Sequence, residues 1–102
     1  MTFKVHPRDL RPGGKAKVAW VATTGEPAEV HLLVRIRQND NGWSEWNPWP
    51  RDSPYDPKRD EDYVCLMWDT EFQLYVTWED GIIELVGPFR VNVDGEPLVP
   101  IV

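Results

Sequence analysis

Three tryptophans, Trp43, Trp46 and Trp49, recur at every third position, and they belong to a set of six in 102 residues. Aromatic rings of this kind stack on sugars, anchor protein interfaces or carry cations on their faces. Which use is open depends on the backbone that presents them. An ideal strand sets Trp46 opposite Trp43 and Trp49, whereas a polyproline II segment, with three residues per turn, aligns all three. Pro48 and Pro50 favour the second form. An aligned stripe would serve a protein partner or a surface glycan. The alternative is internal: the guanidinium groups of Arg35 and Arg37 lie over the rings in cation-π contacts and stiffen the domain's own surface.

Other groups offer less chemistry. Asp52, Asp56, Asp60, Glu61 and Asp62 supply enough oxygen for a hard cation, but the spacing is not that of a calcium loop, and Lys58 and Arg59 interrupt it. A solvated loop without metal is expected there. His6 and His31 are the only histidines, and the chain has no nucleophile elbow, phosphate-cradling glycine loop or His/Cys cluster. An exposed pair such as Asp56 and Asp60 would be ionised twice over at neutral pH, leaving no general acid. No catalytic residue, no cofactor and no enzymatic activity are therefore expected. Cys65 has no partner for an intrachain disulfide. It sits in the apolar run Tyr63 to Trp68 with no basic neighbour in sequence, which predicts a buried, unreactive thiol.

The formal net charge is -6, from 11 Lys and Arg against 17 Asp and Glu, and this opposes the counterion release that drives nucleic-acid binding. Neither a secretory leader nor an apolar stretch of membrane-spanning length is visible, so the expected partner is neither nucleic acid nor membrane. The expected location is a virion or the cytoplasm.

Something must position these residues, and the prolines, spread from Pro7 to Pro100, leave little room for helix. The hydrophobic period is two. Ala16, Val18, Trp20 and Ala22 alternate with Lys15, Lys17, Ala19, Val21 and Thr23. Val30, Leu32, Val34 and Ile36 alternate with His31, Leu33, Arg35 and Arg37; Phe72, Leu74, Val76 and Trp78 alternate with Gln73, Tyr75, Thr77 and Glu79. Further strands are predicted at Thr2 to His6, Tyr63 to Trp68, and Ile82 to Val86 with Phe89, Val91 and Val93, the last interrupted at Gly87-Pro88. Turns fall at Pro12-Gly13-Gly14, Gly25 to Pro27, Asn39 to Gly42, Asp80-Gly81 and Asp94-Gly95. This is the pattern of an all-β antiparallel sandwich of about seven short strands.

Trp20 in the second strand, Val34 to Arg37 in the third, Gly42-Trp43-Ser44-Glu45-Trp46 after it, and Thr70 to Val76 leading the sixth together resemble a fibronectin type III domain. The similarity runs over residues 3 to 93 and implies an immunoglobulin-like sandwich. Phe72 stands where that family usually has a tyrosine, so the hydroxyl contact of a tyrosine corner is lost. The Trp-Ser-x-Trp element is similar to copies in bacterial and bacteriophage modules, and the resemblance implies a structural or protein-binding module on a capsid or tail lattice. The acidic charge and reduced cysteine are compatible instead with an intracellular inhibitor or adaptor.

The domain is expected over residues 1 to 96, followed by an extended apolar tail over residues 97 to 102. Leu98, Val99, Ile101 and Val102 would fold back on the sandwich or anchor a neighbouring subunit, with Pro97 and Pro100 limiting any backbone ladder.

Overall fold

The computed structural model describes residues 1 to 37, 42 to 51 and 53 to 96. Leu98, Val99, Ile101 and Val102 lie outside the described residues, as does Asp52. The described chain is all β, with two sheets packed face to face. Its strands are β1 (Thr2–His6), β2 (Asp9–Leu10), β3 (Gly14–Val21), β4 (Pro27–Ile36), β5 (Asn47–Pro48), β6 (Arg59–Leu66), β7 (Thr70–Trp78) and β8 (Ile83–Val93). One sheet has the order β1-β3-β6 and the other β2-β8-β7-β4-β5. All pairings are antiparallel except β2 with β8.

The alternating residues become the two faces of these strands because successive side chains on a pleated strand point to opposite sides. Ala16, Val18 and Trp20 of β3 turn inward with Phe3 and Val5 of β1 and Val64 and Leu66 of β6. They meet Val30 and Leu32 of β4, Phe72, Leu74 and Val76 of β7, and Val91 of β8. Phe72 is fully buried in the middle of this core.

Four details depart from the sequence reading. The segments β2 and β5, two residues each, have no hydrophobic period to reveal them. β6 starts at Arg59, so the last part of the acidic stretch is strand rather than loop. β8 is not broken at Gly87-Pro88 but runs through it with a shift of register against β7 between Phe72 and Leu74. Gly87 makes that shift possible: its φ is +115°, and a Cβ there would lie 2.9 Å from the Phe72 carbonyl oxygen.

Cys65 is the fourth, and it is exposed. Its neighbours Val64 and Leu66 take the inward positions of β6, so the thiol faces out, and β3 brings the basic residue Lys15 directly across from it. Proximity in sequence gave no sign of that lysine.

Candidate functional site

The tryptophan segment runs along the edge of the five-stranded sheet, and its phase is set by one extra residue. Arg37 pairs with Trp43, and Val34 pairs with Asn47. Three steps along β4 thus face four steps along the returning chain, which is the count of a bulge. Ser44 fills it. Its backbone N–H donates to the Ile36 carbonyl at 2.8 Å, and its hydroxyl accepts the Ile36 N–H at 3.0 Å. The hydroxyl in turn donates to the Glu45 carbonyl at 3.0 Å.

The extra residue brings Trp43 and Trp46 onto the same outer face, where each shares the Arg35 guanidinium, at 5.1 Å and 4.9 Å from the ring centroids. Regular pairing resumes beyond it. The Trp49 N–H donates to the Leu32 carbonyl at 2.8 Å, and the Trp49 ring packs against the core. The three rings therefore form neither the alternating nor the aligned arrangement: two face out and the third faces in.

Arg35 is held from the far side by Glu71, whose carboxylate accepts its Nε–H at 2.9 Å and its Nη2–H as well. Glu71 also pairs across the sheet with Arg90, whose guanidinium lies 4.8 Å from the Trp43 ring. One rung across β8, β7 and β4 thus reads Arg90, Glu71, Arg35, with Trp43 and Trp46 against the cations. The second cation is Arg90 and not Arg37. Trp43 pairs with Arg37 through the backbone, but its ring leans over the neighbouring rung, while Arg37 is exposed and donates its N–H to the Asp69 carbonyl at 2.9 Å.

Along the same outer face, toward the other end of the strands, the chemistry changes from charged to apolar. Ile83 and Leu85 of β8 are 53% and 55% exposed, and they pair with Thr77 and Tyr75 of β7. Tyr75 pairs onward with His31 of β4, with the two rings 6.3 Å apart, and Leu33 follows two residues along. Ile82, next to the turn, is exposed as well. Sequence reasoning missed this surface, although one signal was available. In Ile82 to Val86 both phases carry apolar residues, and a sandwich buries only one of them.

The acidic stretch is built into the fold. Asp60 accepts N–H groups from Asp56 and Glu61, both at 2.8 Å, and Nη1 of Arg51 at 3.1 Å. Asp56 accepts the Lys58 N–H at 2.9 Å. The Tyr55 hydroxyl donates to Asp62 at 2.7 Å while its ring meets Trp20 edge to face. Burial raises the Tyr55 pKa, and the hydrogen bond to the Asp62 carboxylate raises it further. Burial works against ionisation of Asp60, but the Asp56 and Glu61 N–H groups and Arg51 outweigh it and hold the carboxyl below its ordinary value. These oxygens hold a turn together, and among the described residues no group of three His, Cys, Asp or Glu side chains is placed to bind a metal.

No family model, curated protein or solved structure matches the chain.

Proposed function

We propose that this chain is a non-enzymatic protein-binding module of the immunoglobulin-like, fibronectin type III-like kind, attached to the protein lattice of a larger particle such as a bacteriophage capsid or tail. The observation that carries the reading is the apolar surface on the outer face of the five-stranded sheet, where exposed Ile83 and Leu85 continue into half-buried Tyr75 and Leu33. Apolar surface left in water by a folded domain marks an interaction site, and burying one large aliphatic side chain is worth about 1.5 to 3 kcal/mol. Next to it the Arg90, Glu71 and Arg35 rung holds Trp43 and Trp46 in fixed positions, so a partner meets a surface whose side chains are already ordered.

The strand order supports the class: a sheet of β1-β3-β6 faces one containing β8-β7-β4-β5, with the chain returning repeatedly from one sheet to the other. The virion setting rests on the likeness of the Trp43-Ser44-Glu45-Trp46 element to bacteriophage modules.

Capture of the native protein from its source, with mass spectrometry of what accompanies it, tests the proposal. Capsid or tail proteins in the eluate support it. Recovery alone, or with glycan only, overturns it. Deleting residues 97 to 102 in the same experiment separates a contribution of the tail from that of the sheet face.

A further inference from the structure

The outer face of the three-stranded sheet has a charge opposite to that of the chain as a whole. Thr2, Lys4 and His6 of β1, Lys15, Lys17, Ala19 and Val21 of β3, and Arg59, Glu61, Tyr63 and Cys65 of β6 alternate with the core residues and so share this face. Lys4, Lys15, Lys17 and Arg59 stand there against the single carboxylate Glu61. The net charge of the chain is -6, so the rest of the molecule is more acidic still.

Of these cations, only Lys17 is ion-paired among the described residues. Lys17 binds Glu61 at 3.0 Å, and this carboxylate raises the lysine's pKa, first through the hydrogen bond and then through its charge. Among the described residues no carboxylate comes within ion-pair distance of Lys4, Lys15 or Arg59.

The face is also hollow. Ala19 sits between Lys4 on one neighbouring strand and Glu61 on the other, and its short side chain leaves a floor between long ones. The resulting depression, of about 730 Å³, is bounded by Lys4, Lys17 and Arg59 and also by Asp60 and Glu61, two carboxylates already paired with Arg51 and Lys17. Parallel cations around a depression focus field toward its centre and attract negative charge.

From this we infer that the three-stranded sheet carries a second binding surface, which takes an acidic segment of a partner protein with its carboxylates between Lys4 and Arg59. A nucleic acid fits less well. Its closely spaced phosphates would meet Glu61 in the middle of the face and the acidity of the whole chain around it, whereas separated carboxylates on a polypeptide can straddle Glu61. The inference rests on the reading of the chain as a protein-binding module, but it concerns the opposite side of the sandwich from the apolar surface.

The test uses the full chain and a fluorescent oligoglutamate peptide at low ionic strength, with an oligothymidylate of equal charge for comparison. The peptide is expected to bind, to weaken as salt rises, and to prefer the native protein to the double variant Lys4→Glu/Arg59→Glu by on the order of tenfold, the weight of two exposed ion-pair positions reversed in sign. Both substituted residues are exposed, so an unchanged melting temperature is expected and shows that the fold is kept. An Ile83→Lys/Leu85→Lys variant should bind the peptide as the native protein does, which keeps this inference separate from the apolar site. Absence of peptide binding, indifference to the charge reversal, or tighter binding of the oligothymidylate overturns it. Salt-sensitive self-association that the same reversal abolishes also overturns it, by making a second copy the occupant.

Discussion

Replacing Arg35 by alanine takes away the one cation that Trp43 and Trp46 share and removes both guanidinium N–H groups that donate to Glu71 Oε1. Exposed cation-π contacts contribute about 0.5 to 1 kcal/mol each, so the expected loss is about 1 to 2 kcal/mol in urea unfolding. A change in tryptophan emission should accompany it, and a substitution without effect on either would show that the rung contributes nothing to stability. At Asp60 the expected signal is in pH. Its folded-state pKa is lowered, so the stability it contributes is present above the unfolded carboxylate value of about 3.9 and lost as pH falls through the lower folded value. Asp60→Asn should flatten that acid limb of the stability curve, and an unaltered limb would assign acid lability to other carboxylates. Arg35 was legible as a tryptophan partner from its type and outward phase. Arg90 was not, because it lies 55 residues from Arg35 in sequence and reaches Trp43 only through the pairing of β7 with β8.

Two strands depend on residues that permit irregular pairing. Ser44 lets the chain gain one residue against β4, and Gly87 lets β8 slip against β7. Ser44→Ala leaves the Ile36 N–H without its hydroxyl acceptor, at an expected cost of about 1 kcal/mol. Gly87→Ala adds a Cβ within 2.9 Å of a backbone oxygen at a positive φ, and the expected cost is larger, about 1 to 3 kcal/mol. Urea titration of the two variants checks the order as well as the sizes; equal, negligible effects would contradict this account of both bulges.

The same irregularities explain what the sequence could and could not reveal about the elements. β3, β7 and the part of β4 from Val30 onward were legible because their apolar residues alternate against a core on one side. The orientation of Trp46 was not, since a spacing of three gives one answer in a regular strand and another beside a bulge. Neither β2 nor β5 has enough length for a period. Cys65 was misread for a related reason: in Tyr63 to Trp68 nearly every residue is apolar, so composition hides which phase faces inward, and only Val64 and Leu66 do.

At the scale of the whole molecule, the sandwich separates three surfaces that the chain interleaves: a core between the sheets, an apolar face with its arginine and tryptophan rung outside one sheet, and a basic face outside the other. That the chain is all β, in two packed sheets, followed from period and turn residues alone. The division of the outer faces did not, because it arises when strands distant in sequence lie side by side, as Leu85, Tyr75 and His31 do in one rung. On the proposed reading, the apolar face of β8, β7 and β4 is where the protein meets its partner. The most direct test of that reading is the affinity of the captured partner for the Ile83→Lys/Leu85→Lys variant, measured by titration calorimetry beside the native protein. An affinity lower by at least about tenfold is expected, in line with the loss of buried aliphatic surface, at an unchanged melting temperature. Native affinity in that variant would contradict it.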